Sequence, residues 1–274
     1  MAKLHFPYPG PRQTEQAAFA YVEAHLWANG RVCPHCGVVG ESSAVKGKTT
    51  RAGLYKCYAC RKPFTLRMGT IFEGSHLPLH LWLHVIHLMC ASKKGISTRQ
   101  IQRVLNCSMK TAWFLTHRIR EVMAPNAGEP PLGGRGKIRS QRILEATKMT
   151  AQNVVRANVH PESILHTDGS QIYREIGATK KHEFVDHSVS YVGIGPAGRK
   201  VHTNTLEGFF SVFKRGMVGV YQHCGEQHLD RYLAEFDFRA NNREKFGIDD
   251  VSRADITLKA SKGKRLTYRT TVGA

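Results

Sequence analysis

Four cysteines in two pairs have the spacing of a four-thiolate zinc site: Cys33 and Cys36 in "VCPHCG", and Cys57 and Cys60 in "KCYACRKPF". A gap of two residues lets both sulfurs of one turn reach a single tetrahedral ion. The twenty residues between the pairs are basic and turn-rich with strand-like ends, as a zinc ribbon requires. Redox chemistry is the competing use of Cys-x-x-Cys, but it takes one pair in a strand-to-helix context. His35, inside the first turn, is expected to face solvent because four thiolates already fill the ion. Cys90, Cys107 and Cys224 stand alone and read as plain thiols.

A second set of residues could handle phosphate chemistry. Asp168 closes the stretch "ESILHTDGS", and Glu207 lies 39 residues further on in "NTLEGFFSVFKRGMVG". Carboxylates offered by a strand end and a nearby helix can hold Mg²⁺ or Mn²⁺ over a DNA phosphate, where the metal activates the attacking oxygen and steadies the leaving one. Lys214 follows Glu207 by seven residues, nearly two helical turns, which places it on the same face about 10 Å along the axis. Such a lysine could grip a DNA backbone. By spacing alone, an ordinary surface Glu and Lys is the better account. His80, His84 and His87 also share a helix side, but no acidic or cysteine ligand is near them in sequence, so they read as the polar face of a supporting helix.

The composition narrows the partner. The chain has 274 residues, with 40 Lys and Arg against 21 Asp and Glu, giving a formal charge of +19. An excess this large favours a polyanion. No apolar run approaches the ~20 residues of a membrane span, and the first residues carry no apolar signal segment. A cytoplasmic, nucleoid-associated protein bound to double-stranded DNA is therefore expected. In a reducing compartment the paired cysteines point to metal rather than disulfides.

Elements must position these groups. "EQAAFAYVEAHLWANG" repeats Ala18, Val22 and Leu26 at helical spacing and predicts a small helix packed on the ribbon. "LPLHLWLHVIHLMCAS" predicts a helix after Pro78. A further helix is expected from Ser97 to about Leu105, then a turn at Asn106–Cys107, then a helix capped by Ser108. Ile101, Leu105, Ala112, Leu115 and Ile119 have inward spacing. Three helices with a short turn make a helix-turn-helix, whose second helix would bring Lys110, Thr111 and Phe114 to base edges and Arg118 and Arg120 to the DNA backbone. The alternative is a structural three-helix bundle with solvated basic residues. "APNAGEPPLGGRGKI" reads as a linker. Beyond it, "RSQRILEA" predicts a strand, "TAQNVVRANV" a helix, "ESILHTDGS" a strand, "HEFVDHSVSYV" a strand or extended loop, and Glu207 lies on a helix followed by "LDRYLAEFDFRANNR". Alternating strands and helices make an α/β layer.

Taken in order, the zinc ribbon, "GTIFEGSHLPLHLW", "HRIREVM", "LGGRGKI", "LHTDGSQIY", "VHTNTLEGFFSVFKRGMVGVYQH", "HLDRYLAEFDFRANNR" and "GKRLTYR" resemble the ISXO-two-like insertion-sequence transposases over nearly the whole chain. That resemblance implies a ribonuclease H-like catalytic domain with Mg²⁺ or Mn²⁺, cleavage at element ends, strand transfer, and self-association on DNA. By it, Asp168 matches the second acidic residue, Glu207 the third, and Lys214 the trailing basic residue.

The departure from the family matters as much. In the family a segment like "GGRGKI" leads straight into the first core strand and its catalytic aspartate. Here Ile138 is followed by "RSQRILEATKMTAQ", which resembles the third strand and first helix, and Asp168 is the first aspartate in the chain. Glu129 and Glu145 are the only acidic residues between the helix-turn-helix and the strand that opens at Glu162, and neither is placed to stand in. The expectation is a multidomain α/β chain. Residues 1–75 form the first helix and zinc ribbon, 76–123 the helix-turn-helix, 124–138 a linker, 139–245 a shortened ribonuclease H-like domain and 246–274 a basic tail. Its catalysis should be impaired, with a non-catalytic DNA-binding remnant or repressor as the alternative. Loss of central strands should expose sheet edges and apolar faces.

Overall fold

The computed structural model describes residues 14–126, 129–133, 137–178, 181–196 and 198–264. It is a mixed α/β chain in two compact units, one made of residues 1–124 with 242–274 and the other of 125–241.

In the first unit, α1 (Glu15–Leu26) is capped by the Thr14 hydroxyl and buries Ala18, Phe19, Tyr21 and Val22. Three short antiparallel strands follow: β1 (Ser42–Ala44), β2 (Leu54–Cys57) and β3 (Pro63–Thr65). Tyr55 and Phe64, with Cys33 and Cys57, form their core, and Trp27 at the end of α1 packs against it. α2 (Leu79–Ala91) starts at Pro78, which offers no side-chain cap. Glu15 replaces it: its carboxylate accepts from the Leu79 amide at 2.7 and 2.8 Å, pairs with His80 Nδ1 at 3.1 Å, and receives Arg67 at 3.0 Å. A negative charge at a helix N-terminus is stabilising because the first amides there lack partners.

α3 (Thr98–Leu105) is capped by Ser97 and stopped by Asn106, a left-handed residue with φ of 48°. α4 (Met109–Met123) is capped by Ser108, whose hydroxyl accepts from the Thr111 amide at 3.1 Å. Met109 and Lys110 at its start are exposed, while Leu115 to Arg120 are all buried. The stretch expected as a basic tail folds instead. α8 (Asp250–Lys259), capped by Asp249, lies against α2 and α1. Arg253 ties it down by donating to the Cys90 and Asn242 carbonyls at 2.7 and 2.6 Å. The last ten residues of the expected tail lie outside the described residues.

In the second unit, the strand expected at "RSQRILEA" is absent. Ile138 and Ser140 pair with side chains instead: Asn241 brackets the Ile138 amide and carbonyl at 2.6 and 2.8 Å, and Asp237 accepts from the Ser140 amide and hydroxyl at 2.5 and 2.7 Å. Burial holds the Asp237 carboxyl above its ordinary range, against the pull of the Ser140 donors. α5 (Lys148–Asn158) follows. A groove of about 640 Å³ runs between α5 and residues 141–145, with Arg142, Leu144 and Asn153 in its walls. β4 (Leu165–Asp168) and β5 (His182–Val185) form a two-stranded parallel pair. β6 (Gly193–Ile194) and β7 (Lys200–Val201) form a short hairpin. α6 (Asn204–Gly216) continues into a wide turn over Met217–Tyr221, and α7 (Leu229–Asn241) packs on it through Ile138, Phe209 and Phe236. Large apolar groups stay in solvent here, Leu144 at 82% and Phe184 at 63% exposure.

Candidate metal centre and carboxylate site

Cys33 and Cys36 lie in the turn after α1, Cys57 closes β2, and Cys60 lies in the turn between β2 and β3. Their four sulfurs fall within 4.8 Å of one another. Cys33 Sγ is 3.7 Å from Cys60 Sγ, and Cys36 Sγ is 3.7 Å from Cys57 Sγ. A tetrahedron with metal–sulfur bonds of about 2.3 Å has edges of about 3.8 Å, so the cage has the size of a zinc tetrathiolate. Burial opposes ionisation of Cys33, yet the His35 and Cys36 amides and the adjacent thiols bring it down to about 6. His35 Nε2 lies 3.2 Å from the Pro63 carbonyl, on the exposed side of the turn. Behind the cage, Arg31 stacks 3.8 Å over Tyr55, whose hydroxyl donates to Glu23 at 2.5 Å.

Among the described residues this is the sole group of three or more His, Cys, Asp or Glu side chains gathered at metal distance. His80 is spent on Glu15, and His87 is buried, its pKa lowered by that burial. Cys90 is buried beside Thr257, while Cys107 and Cys224 are half-buried.

Asp168 stands exposed at the carboxyl end of β4, opposite Val185 in register. Ligands of open parallel sheets gather at such strand ends. Directly after Val185 come two residues that sequence reasoning passed over, Asp186 and His187. Both are placed by the β4–β5 pairing, a contact across seventeen residues that no local pattern announces. A Cβ placed on Gly169 would come within 4.0 Å of the Asp186 Cα, so the backbones that follow Asp168 and Val185 stay close. Ser188 donates to Asp186 through its hydroxyl at 2.7 Å and its amide at 2.9 Å, and these bonds lower the Asp186 pKa. His187 Nε2 reaches α6, 3.0 Å from Thr203 Oγ1 and 3.3 Å from Glu207 Oε1. Thus His187, two residues past the register partner of Asp168, reaches Glu207, while among the described residues neither Asp168 nor Glu207 belongs to a group of three or more possible ligands at metal distance. Lys214 is exposed on the same helix as Glu207. Glu129 pairs with Arg139 at 3.4 Å, and Glu145 lines the groove beside α5.

The DNA-facing expectations divide. Lys110 is exposed in the first turn of α4, with Thr111 and Phe114 half-buried behind it. Arg118 and Arg120 are buried, which corrects their expected place on the surface. Arg118 donates to the Ile71 and Glu73 carbonyls at 2.8 Å each and stacks 4.3 Å from the Phe114 ring. Arg120 bonds the Thr116 hydroxyl at 3.3 Å. The solvent-facing cations here are Lys93, Lys94, Arg99, Arg103 and Lys110.

Residues 92–241 match the ISXO2-like transposase domain, and residues 13–63 match the transposase zinc-ribbon domain. The chain belongs to the ISXO2-like transposases. A curated relative, the uncharacterized protein in transposable element ISH50 of Halobacterium salinarum, is 30% identical over 108 residues, 39% of this chain and 35% of that protein. The matched stretch therefore spans about a third of the length of that relative. No solved structure matches. No helix among the described residues is long and apolar enough to cross a membrane. In this transposase chain the family match takes in Asp168, Glu207 and Lys214 as well as the helices α3 and α4.

Proposed function

We propose that this chain is an insertion-sequence transposase that binds double-stranded DNA through its first unit and is impaired in strand transfer. The first unit would act as a helix-turn-helix braced by a zinc ribbon. α3 and α4, joined by the left-handed Asn106, leave the capped first turn of α4 exposed with Lys110, and Lys93, Lys94, Arg99 and Arg103 lie in the sequence leading to it. Arginine and lysine in that position neutralise phosphates and release counterions, while the first turn of the second helix reads bases. Zinc held by Cys33, Cys36, Cys57 and Cys60 is structural, since four thiolates leave no open position for substrate.

The second unit supplies Asp168 and Glu207, oxygen donors suited to a hard cation that takes one or two carboxylates and keeps its other positions for water and phosphate. Bound there, Mg²⁺ or Mn²⁺ would activate the attacking oxygen and stabilise the leaving one. Lys214, seven residues beyond Glu207 on α6, is available to the DNA backbone. The observation that carries the impaired reading is the two-stranded sheet itself. β4 has β5 as its partner strand, and no carboxylate on a further strand joins Asp168 and Glu207 among the described residues. The exposed Leu144 and Phe184 fit a domain that has lost covering strands. The chain would then occupy element ends more readily than it joins them, which also makes a repressor role accessible to it.

A gel-shift titration on duplexes bearing the element's ends, run beside a Mg²⁺-dependent joining assay on the same DNA, tests this. Salt-sensitive binding without joined product is the expected result. Absence of duplex affinity at low salt overturns it.

A further inference from the structure

α6 begins with an unused cap. Thr203 occupies the N-cap position, where a threonine oxygen ordinarily accepts from an amide of the first turn, and there it makes no such bond. Its hydroxyl donates instead to Glu207 Oε1 at 2.5 Å. The single proton of that hydroxyl is thereby committed, so the 3.0 Å contact between Thr203 Oγ1 and His187 Nε2 has the imidazole as donor. The same Nε2 lies 3.3 Å from Glu207 Oε1. Among the described residues, every partner of the Glu207 carboxylate falls on Oε1, and Oε2 is left open.

The histidine is itself held. The turn after β5 is closed by the Ser190 amide on the Asp186 carbonyl at 2.9 Å and by Ser188 on the Asp186 carboxylate. The ring of Tyr191 meets the His187 ring edge-on at 5.4 Å. His187 follows Val185, the register partner of Asp168, by two residues. One imidazole therefore links the strand end that carries Asp168 to the helix turn that carries Glu207. A carboxylate used as a ligand works best when one oxygen is fixed by fixed donors and the other is presented, because the fixing removes rotamer freedom before the ion arrives.

We propose that His187, together with Thr203, is a positioning residue for Glu207: the two donors pin Oε1 and leave Oε2 to a divalent ion. This rests on the reading of Asp168 and Glu207 as metal ligands. Loss of such a partner costs ~10–100-fold in metal affinity.

The test is a Mn²⁺ titration of the full chain, followed by the loss of the free-ion electron paramagnetic resonance signal, on the natural protein and on Glu207→Gln, His187→Ala and His187→Gln. The natural chain should show a Mn²⁺ site that Glu207→Gln removes. His187→Ala should weaken it by ~10–100-fold, and His187→Gln, whose amide N–H can still donate, should recover most of the loss. Unchanged affinity in His187→Ala, with Glu207→Gln still abolishing the site, overturns the role of His187 and leaves the metal reading intact. Equal losses in His187→Ala and His187→Gln, with a matching drop in unfolding midpoint, overturn it in favour of a purely structural tether. A chain with no Mn²⁺ site sensitive to Glu207→Gln overturns the metal reading itself.

Discussion

His25 Nε2 lies 3.4 Å from Asp255 Oδ1, joining the first helix of the ribbon-bearing unit to α8, near the far end of the described chain. Tyr21, one turn before His25, donates its hydroxyl to the same carboxylate, and His25 Nδ1 meets the Tyr21 carbonyl at 2.8 Å. The hydrogen bond to Asp255 raises the His25 pKa against the opposing effect of burial. Burial works to raise Asp255, but the bonds from His25 and Tyr21 take it below the ordinary carboxylate value.

These directions define a pH window. The His25 contribution is complete below the ordinary histidine pKa of about 6.5 and is lost as pH rises through its raised folded value. The Asp255 contribution is complete above about 3.9 and is lost as pH falls through its lowered folded value. Docking of α8 should therefore be strongest between about pH 4 and 6.5. Hydrogen exchange of the α8 amides measures it. Asp255→Asn should speed that exchange by about 1–2 kcal/mol within the window and flatten its pH dependence. An unchanged profile would show that Arg253 alone holds the helix.

The zinc cage predicts a metal-dependent fold. Its core beneath the sulfurs is small, with Tyr55 and Phe64 as the large buried groups, so the thiolates must contribute much of the stability. Structural zinc supplies an apparent ~10–16 kcal/mol at neutral pH in small domains. Metal analysis should find one zinc per chain, and chelation should melt residues 31–66 while leaving α7 protected. Cys57→Ser, at a buried ligand, should do the same without chelator. Zinc-free protein with an intact ribbon would refute the assignment.

The basic residues of α3 and α4 should separate by depth. Arg103→Ala should weaken all duplexes alike and reduce the salt slope by about 1, as a phosphate contact does. Lys110→Ala, in the exposed first turn, should erode discrimination between sites. Arg118→Ala should act on folding instead: two buried carbonyls, of Ile71 and Glu73, lose their donor, at a cost of about 2–3 kcal/mol. Equal effects of Arg118→Ala and Arg103→Ala on binding, with no change in unfolding midpoint, would show that this division is wrong.

What the sequence made legible was local. The two Cys-x-x-Cys turns fix their own geometry within four residues each, and Ser97 and Ser108 cap the helices they precede. What it hid was nonlocal. An arginine inside a buried helix reads as a surface cation until the carbonyls of Ile71 and Glu73 are seen to receive it. "RSQRILEA" reads as a strand, but Asp237 and Asn241 of α7 take the backbone bonds a neighbouring strand would have taken. α8 was missed because Asp249, its cap, sits in a charged stretch whose packing partners are about 160 residues earlier, as in the Arg253 bond to the Cys90 carbonyl. Asp186 and His187 became candidates only through the pairing of β4 with β5.

The last expectation concerns catalysis. Asp168 and Glu207 offer two carboxylates, and the family resemblance implies a third that bridges two ions. Without a bridging ligand, two ions cannot clamp both the attacking and the leaving oxygen, and the loss should exceed the ~10–100-fold cost of removing a mere supporting partner. The unmodified chain should give no detectable strand transfer with Mg²⁺ or Mn²⁺ on DNA bearing the element's ends. Inserting a relative's first two strands after Ile138 should restore joining, and Asp168→Ala or Glu207→Ala should each abolish the restored activity. Asp186 makes the experiment sharper. It follows Val185, the register partner of Asp168, and its carboxylate is stabilised in the charged form chiefly by the two Ser188 donors. Asp186→Asn should therefore leave the restored activity within a few-fold. Joining by the unmodified chain that disappears in Asp186→Asn would show that this aspartate serves as the third carboxylate.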